Sequence, residues 1–215
     1  MPETDSVLAP SPARLPTSER QALIVAAAIA LTARTDPAAV TTTDIAREVG
    51  VTQGALFKHF TSKDAIWLAV MQWVRETLLP RLQAAAQPTR PDEPVVDALR
   101  RVFDTHVSFV LTHPGVPRLV FHELQQPPES PAKAELAALL GGYRALVAGL
   151  LATARERGEI GPALDQDAAA RLFIGMVQGL AMQWLLAGAQ PPEGLARAQA
   201  DGFFTLYRRS LRPLP

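Results

Sequence analysis

The sequence predicts an all-α protein of about nine helices, in which a small N-terminal unit precedes a larger C-terminal one. Only Pro37 interrupts the span from residue 16 to 80, and only Pro162 interrupts the span from 131 to 191. Because proline breaks helix interiors, long proline-poor spans are where helices form. Alternating β-branched runs are few, and no Asn-Gly hairpin turn occurs, so strand signals are weak.

The helices of the N-terminal unit begin at residues that commonly cap helices. Either Thr17 or Ser18 can cap the first helix, Thr43 the second and Ser62 the fourth. Apolar residues recur at helical spacing within each segment. The predicted helices of this unit are 18–34, 43–49, 53–60 and 62–87.

The helices of the C-terminal unit are longer and carry clear apolar stripes. Asp165 is a candidate cap for the eighth helix, and Gly158 for the end of the seventh. The predicted helices of this unit are 94–112, 115–125, 131–157, 165–186 and 193–209.

The composition excludes several classes of protein. The 215 residues carry 21 basic and 21 acidic side chains, so no global positive charge draws the chain to nucleic acid. The absence of cysteine excludes disulfides, thiolate catalysis and cysteine-based zinc sites, and it suits the cytoplasm. Residues 1–16 are acidic and proline-rich, which predicts a disordered arm rather than a secretory signal.

A tight bend at Gly50 joins the second and third predicted helices. Helix-turn-helix DNA-binding units need two short helices joined by three or four residues, with a residue that tolerates positive φ at the joint. Ile45, Val49, Val51 and Leu56 are spaced to form an apolar wedge between the two helices. The pattern therefore predicts a helix-turn-helix, although a helical hairpin in any all-α protein would show much of it.

The outer face of the third helix carries Gln53, Lys58 and His59. Glutamine can pair with adenine edges, and lysine can contact guanine or phosphate. The segment 50–63 has two basic and no acidic residues. Since affinity rises with the number of phosphates that are neutralised, one such small patch should bind DNA weakly and a dimer more tightly.

The run GVTQGALFKHF at 50–60, followed by Ser62-Lys63-Asp64, resembles the DNA-binding signature of the TetR family of bacterial transcriptional regulators. The resemblance covers roughly residues 18–74, and the rest of the chain is similar only in layout. It implies a helix-turn-helix domain at 17–65 and a ligand-binding, dimerising domain at 66–215. The residues that it implies contact DNA are Thr42, Thr43, Thr52, Gln53, Gly54, Phe57, Lys58, His59 and Lys63.

Two of these positions carry specific expectations. Lys63 is expected to hold a phosphate at the positive N-terminus of the fourth helix. Phe57 departs from the family pattern, which usually has tyrosine there, so a hydroxyl that could bind phosphate is missing.

The effector pocket is expected where apolar helices carry isolated polar or aromatic side chains. Each candidate can equally be an ordinary core residue, and His106 can be a core histidine satisfied by a neighbour. The spacing of His106, His113 and His122 matches no compact metal motif, so we expect neither a metal nor a cofactor. The candidates for effector contact are Phe103, His106, Val110, Phe121, Tyr143, Met176 and Trp184.

The segment 172–192 carries no formal charge, so a membrane-spanning helix is one interpretation of it. Three glutamines, three glycines and a Pro-Pro pair argue against a membrane span. Small residues four apart, Gly175 and Gly179, allow close helix approach, either within the chain or between subunits, and the family resemblance favours a homodimer. The expected dimer contacts are Leu172, Gly175, Gly179, Gln183 and Phe203.

These observations together predict a ligand-responsive repressor that is released from a palindromic DNA operator by a small apolar or aromatic effector. An activator on the same scaffold and a helical protein-interaction module without DNA binding are the alternatives. No Gly-rich phosphate loop or nucleophile elbow occurs, so we do not expect an enzyme.

Overall fold

The computed structural model describes residues 16–188 and 191–211, and within these residues the chain forms nine α-helices and no strand. The predicted arm at 1–16 therefore lies almost entirely outside the described residues. The helices are α1 Thr17–Thr32, α2 Thr42–Val49, α3 Gln53–Leu56, α4 Lys63–Ala86, α5 Val95–Thr112, α6 Gly115–Leu124, α7 Pro131–Glu156, α8 Gln166–Leu186 and α9 Glu193–Ser210.

The helix starts differ from the predicted caps in the N-terminal unit. Thr41, not Thr43, caps α2: its hydroxyl accepts from the Asp44 amide at 3.1 Å, and the Asp44 carboxylate accepts from the Thr41 amide at 3.1 Å. This reciprocal pair needs an acid three residues after the cap, and Thr43 is followed at that distance by Ala46. Helix α1 begins after Pro16 without a side-chain cap.

The third helix is shorter than predicted. Regular α-helix ends at Leu56, and the chain continues to residue 60 in tight turns, in which the His59 amide donates to the Leu56 carbonyl. The caps predicted at Ser62 and Asp165 are present. Gly158, with φ 71°, lies in the left-handed conformation directly after α7.

Buried side chains from all nine helices form one continuous core. Its C-terminal part is aromatic, with the ring centroids of Phe103 and Phe173 5.8 Å apart and those of Phe103 and Phe204 5.5 Å apart. Tyr207 joins this cluster 5.3 Å from Phe173, and its hydroxyl donates to the Ala169 carbonyl at 3.1 Å. Edge-to-face rings of this kind fix the relative positions of α5, α8 and α9.

A close contact between α1 and α6 joins the N-terminal unit to the rest of the molecule. The buried Thr32 hydroxyl lies 2.9 Å from the Ile29 carbonyl and 3.2 Å from the Gly115 carbonyl, and both can accept from it. A Cβ at Gly115 would lie 2.1 Å from the Ile29 oxygen, so only glycine allows this approach.

Helices α7 and α8 are long and apolar enough to cross a membrane by length and composition alone. In α8, half of the most apolar window is buried inside the protein. Core helices of soluble proteins pass the same test, so this is weak evidence for a membrane protein.

Candidate nucleic-acid interface and effector pocket

The bend between α2 and α3 has the geometry that the sequence predicts. Gly50 adopts φ 75° and ψ 34°, a left-handed conformation that a residue with a side chain enters at a cost. The Val51 amide then donates to the Ala46 carbonyl at 2.9 Å, which closes the turn. Ile45 and Leu56 are fully buried between the helices, and each such burial contributes about 2 kcal/mol.

The residues predicted to contact DNA fall into two groups. Thr43, Thr52, Gln53, Gly54, Phe57 and Lys58 are exposed, whereas Thr42, His59 and Lys63 are half-buried. Phe57 is 44% exposed, which is unusual for a large apolar side chain. A phenylalanine in this position can contact a thymine methyl group.

Gln53 is held in place by a neighbour on α2. Its Nε2 donates to the Thr42 hydroxyl at 2.9 Å. The side-chain oxygen and the second amide proton remain available, and these are the two groups that contact adenine bidentately. The Thr42 hydroxyl keeps its own proton, which can be donated to a phosphate.

Thr52 has a structural role as well as an exposed position. Its hydroxyl accepts from the Ala55 amide at 3.1 Å and thereby caps α3. The acidic residues nearby are paired, since Asp44 lies 3.2 Å from Arg47 and Glu48 lies 2.5 Å from Arg34. The hydrogen bond from the Thr41 hydroxyl is the main cause that lowers the pKa of Asp44. These pairs reduce the negative field around α3.

Lys63 does not present its ammonium as a phosphate ligand in this structure. Its Nζ donates to the carbonyls of Pro37 at 3.3 Å, Ala38 at 3.0 Å and Val40 at 2.9 Å, which uses all three of its protons. It also lies 5.9 Å from the centre of the Trp67 ring. Lys63 therefore fastens the α1–α2 loop to α4, and the phosphate role expected for it is not supported by these contacts.

A cavity of about 120 Å³ lies among α4, α5, α6, α7 and α8. Leu124 at its rim is 48% exposed, so the cavity opens to solvent near the end of α6. The lining residues are Val74, Leu78, His106, Phe109, Val110, Val116, Pro117, Val120, Phe121, Leu124, Leu136, Leu139, Leu140, Tyr143, Val177, Gln178 and Ala181.

The cavity contains four of the seven residues predicted to contact an effector, namely His106, Val110, Phe121 and Tyr143. The Tyr143 hydroxyl and His106 Nδ1 are buried and have no hydrogen-bond partner. Burial lowers the pKa of His106 to about 4, so the imidazole is neutral at pH 7, and burial also raises the pKa of Tyr143. The site therefore offers neutral hydrogen-bonding groups within an apolar wall.

The other three predicted contacts lie elsewhere. Phe103 and Met176 are core residues that do not line the cavity. Trp184 lines a separate cavity of about 150 Å³, and its indole N–H donates to Gln199 at 2.8 Å. All three residues are large and sit on apolar stripes, and such stripes do not distinguish a core wall from a cavity wall.

Gln178 lines the cavity although it was not predicted to do so. Its signal was available in the sequence, as a polar residue within the uncharged stretch of α8. The histidines do not converge: the described residues contain no group of three potential metal ligands. His113 packs between the rings of Trp73 and Phe109, 5.2 Å and 4.5 Å away.

A larger cleft, about 620 Å³, lies between α5 and α9. Its charged side chains are already paired with one another. Arg100 contacts Asp104 at 2.7 Å and also Asp201, and Arg197 contacts Glu193 at 2.6 Å.

Helices α8 and α9 both expose large apolar side chains. On α8 its members follow the 3–4–3–4 spacing of one helix stripe: Leu172, Gly175, Gly179, Met182 and Leu186. Leu186 is 80% exposed, and Leu206 of α9 is 65% exposed. No other side chain would contact a Cβ at Gly175 or Gly179. Of the other predicted dimer contacts, Gln183 is exposed and Phe203 is half-buried.

Two family matches together cover most of the chain. Residues 24–70 match the bacterial regulatory proteins of the tetR family, and residues 92–206 match the tetracyclin repressor-like C-terminal domain. The second match alone spans more than half of the chain. The chain belongs to the TetR family. Regulators of this family bind DNA operators and small-molecule effectors and act as dimers.

Among curated proteins, the chain is similar to nucleoid occlusion factors SlmA. It is 24% identical to that of Shewanella amazonensis over 149 residues, which are 68% of this chain and 73% of that protein. It is 30% identical to that of Haemophilus influenzae over 92 residues, which are 40% of this chain. The chain spans 41% of the latter, so that likeness concerns less than half of either protein.

Several solved TetR-family structures share the whole fold. The fatty acid degradation regulator FadR from Bacillus halodurans superposes with a TM-score of 0.73 at 17% identity, covering 91% of this chain and 97% of that one. FadR from Bacillus subtilis, solved in complex with stearoyl-CoA, gives 0.72 at 17% identity over 89% of this chain and 99% of that one. A tetR-family regulator from Rhodococcus RHA1 gives a TM-score of 0.74 at 21% identity, covering 91% of this chain and 98% of that one. Identities this low establish the fold alone.

Proposed function

We propose that this TetR-family regulator is a cytoplasmic, homodimeric repressor that leaves a palindromic operator when a small apolar or aromatic effector enters the cavity among α4–α8. The observation that carries the proposal is the course of α4. Helix α4 begins seven residues after the end of α3 and carries Val74 and Leu78 into the cavity wall. One rigid element therefore contacts both the DNA-reading unit and the effector site, as a two-state regulator requires.

The DNA-reading surface of this proposal is the exposed face of α3 with the start of α2. Gln53, braced by Thr42, reads a base edge, and Phe57 packs against the groove. Lys58 and the hydroxyls of Thr43 and Thr52 contact phosphates. Gly54 allows close approach to the groove because it has no side chain, and half-buried His59 supports the end of the reading segment.

The proposed domain division follows from the position of α4 between the DNA-reading unit and the cavity. Residues 17–65 form the DNA-binding head, and residues 66–215 form the effector-binding and dimerising body. The boundary lies within the first turn of α4, because this helix belongs to both units.

The proposed dimer interface is the exposed face of α8 and α9. Leu172, Met182 and Leu186 supply apolar area, and Gly175 and Gly179 let the partner helix approach closely. Two α8–α9 pairs related by a two-fold axis would form a four-helix bundle, and that symmetry would require a palindromic operator. Leu186→Glu should shift the protein from dimer to monomer in analytical ultracentrifugation.

Fluorescence anisotropy on DNA from upstream of the protein's own gene, across a salt series, tests the DNA-binding part. Lys58→Ala should weaken binding on every sequence and lower the salt slope by about 2 for a dimer. Gln53→Ala should weaken binding mainly to the operator. Arg90→Ala, which removes an exposed cation between α4 and α5, is the matched control. A random-DNA selection that enriches no sequence would refute the repressor proposal.

A further inference from the structure

Among the described residues, only three polar side chains, His106, Tyr143 and Gln178, and no charged one line the proposed effector cavity. The rest of its wall is aliphatic, aromatic or proline. A ligand that carries a net charge would lose its hydration here without gaining an ion-pair partner, which is unfavourable. The wall therefore selects against carboxylates, phosphates and ammonium groups inside the cavity.

Two of the polar groups lack partners although the protein surrounds them. Tyr143 is 1% exposed, and neither its hydroxyl nor His106 Nδ1 forms a hydrogen bond. Their rings meet edge to face with centroids 5.3 Å apart, so the two unsatisfied groups belong to one site. Neither atom is accessible to a water molecule in the free protein, so solvent does not satisfy them either.

The other buried tyrosine shows that this fold can satisfy such a group. Tyr207 is 2% exposed, and its hydroxyl donates to the Ala169 carbonyl. Two further buried nitrogens without a partner, His59 Nδ1 and Trp67 Nε1, belong to residues that do not line the cavity. Among the described residues, two of the four buried side-chain atoms without a partner thus belong to the cavity wall.

The size of the cavity limits the ligand. A dry protein cavity of about 150 Å³ accommodates benzene, and this one is about 120 Å³. Because neither polar atom is accessible to a water-sized probe, a ligand group reaches them only when side chains of the cavity wall move. Binding would therefore favour a conformation different from that of the free protein, as an effector must.

We propose, resting on the proposed function above, that the effector is a small uncharged molecule about the size of one substituted aromatic ring. Its single hydroxyl, carbonyl or amide group hydrogen-bonds with both Tyr143 and His106. The Tyr143 hydroxyl can donate or accept a hydrogen bond, and the neutral imidazole has one donor and one acceptor nitrogen. A neutral ligand group that can donate and accept hydrogen bonds therefore fits this pair.

Isothermal titration calorimetry on the DNA-free protein at pH 7.5 with three matched probes tests this inference. The probes are toluene, 4-methylphenol and 4-methylbenzoate, which present no polar group, a neutral one and an anionic one. We expect 4-methylphenol to bind about tenfold more tightly than toluene, because it satisfies groups that toluene leaves unpaired. We expect 4-methylbenzoate to bind at least about tenfold more weakly than 4-methylphenol.

Tyr143→Phe is the decisive variant, because it removes only the hydroxyl. It should reduce the preference for 4-methylphenol over toluene, because one of the two proposed hydrogen-bond partners is lost, and it should leave the toluene affinity unchanged. Tyr207→Phe, which alters a tyrosine outside the cavity, should leave the preference for 4-methylphenol unchanged. Tighter binding of 4-methylbenzoate, a preference for 4-methylphenol that Tyr143→Phe leaves undiminished, or no binding of any probe would overturn the inference.

Operator binding measured on the same protein separates the two proposals. A protein that binds its operator but shows none of the expected probe preferences refutes the inference about the effector alone. A protein that binds 4-methylphenol with the expected dependence on Tyr143, but enriches no DNA sequence in the selection, supports the cavity assignment and refutes the repressor.

Discussion

The chain has two tyrosines, and replacing each by phenylalanine should change stability in opposite directions. Both side chains are buried, at 1% and 2% exposure, so each substitution removes a buried hydroxyl with little change in packing. The Tyr207 hydroxyl donates to the Ala169 carbonyl at 3.1 Å, whereas the Tyr143 hydroxyl has no partner. Tyr207→Phe therefore loses a hydrogen bond and should cost about 1 kcal/mol. Tyr143→Phe removes an unsatisfied group and should gain about 1 kcal/mol or more.

Thermal unfolding of the ligand-free protein measures both effects. For a chain of this length, 1 kcal/mol corresponds to a shift in Tm of about 2–4 °C. The two variants should thus differ from each other by about 4–8 °C, with Tyr143→Phe above the wild type and Tyr207→Phe below it. The protein concentration must be held constant, because a dimer's stability depends on it. If both variants lose stability equally, the Tyr143 hydroxyl has a partner, and the reasoning about the cavity is wrong.

Other contacts give further predictions. Lys63→Met should lower the free energy of unfolding by about 1–2 kcal/mol, measured by urea denaturation, because three carbonyls lose their donor; an unchanged salt slope of DNA binding would confirm that Lys63 does not contact phosphate. Thr42→Val should weaken operator binding several-fold, measured by anisotropy, because Gln53 loses its hydrogen bond to the Thr42 hydroxyl. Thr43→Val leaves that hydrogen bond intact. Gly115→Ala should destabilise the protein by about 1–3 kcal/mol in urea denaturation, since its Cβ would lie 2.1 Å from a carbonyl oxygen. Between pH 6.5 and about 4 the unfolded state binds a proton at His106 that the folded state does not, so stability should fall as the pH falls; His106→Leu should reduce this slope by up to about 1.4 kcal/mol per pH unit.

Much of the fold could be predicted from the sequence because its signals are local. Prolines precede or begin α1, α5, α6, α7 and α9, although Pro80 lies inside α4. The left-handed Gly50 is fixed by the short joint it must make. The missed cap at Thr41 was also a local signal, since Asp44 follows it at the spacing of a capping box. The early end of α3 was not predictable in this way. The helical spacing of apolar residues continues to Phe60, whereas the backbone leaves the α-helix after Leu56 and forms tight turns.

The candidate sites were harder to predict, because they depend on contacts between distant segments. The contacts of Lys63 join it to residues more than twenty positions away, and no nearby pattern indicates them. Phe103 and Tyr143 occupy equally apolar stripes, and both pack against Phe173. Only the packing of five helices decides that Tyr143 also lines the cavity while Phe103 does not. Periodicity identifies the buried face of a helix but not the places where packing leaves space.

The contact between α1 and α6 explains how the cavity can affect the DNA-binding head by a second route besides α4. Helix α6 supplies much of the cavity wall, including Val120, Phe121 and Leu124, so a ligand that widens the cavity presses on this helix. The start of α6 cannot slide past α1, because Gly115 already packs directly against the backbone of Ile29 and shares a hydrogen bond with Thr32. Packed contacts of this kind move together rather than deform. A displacement of α6 by the proposed effector would therefore be passed to α1, and through the core of the proposed head to α2 and α3.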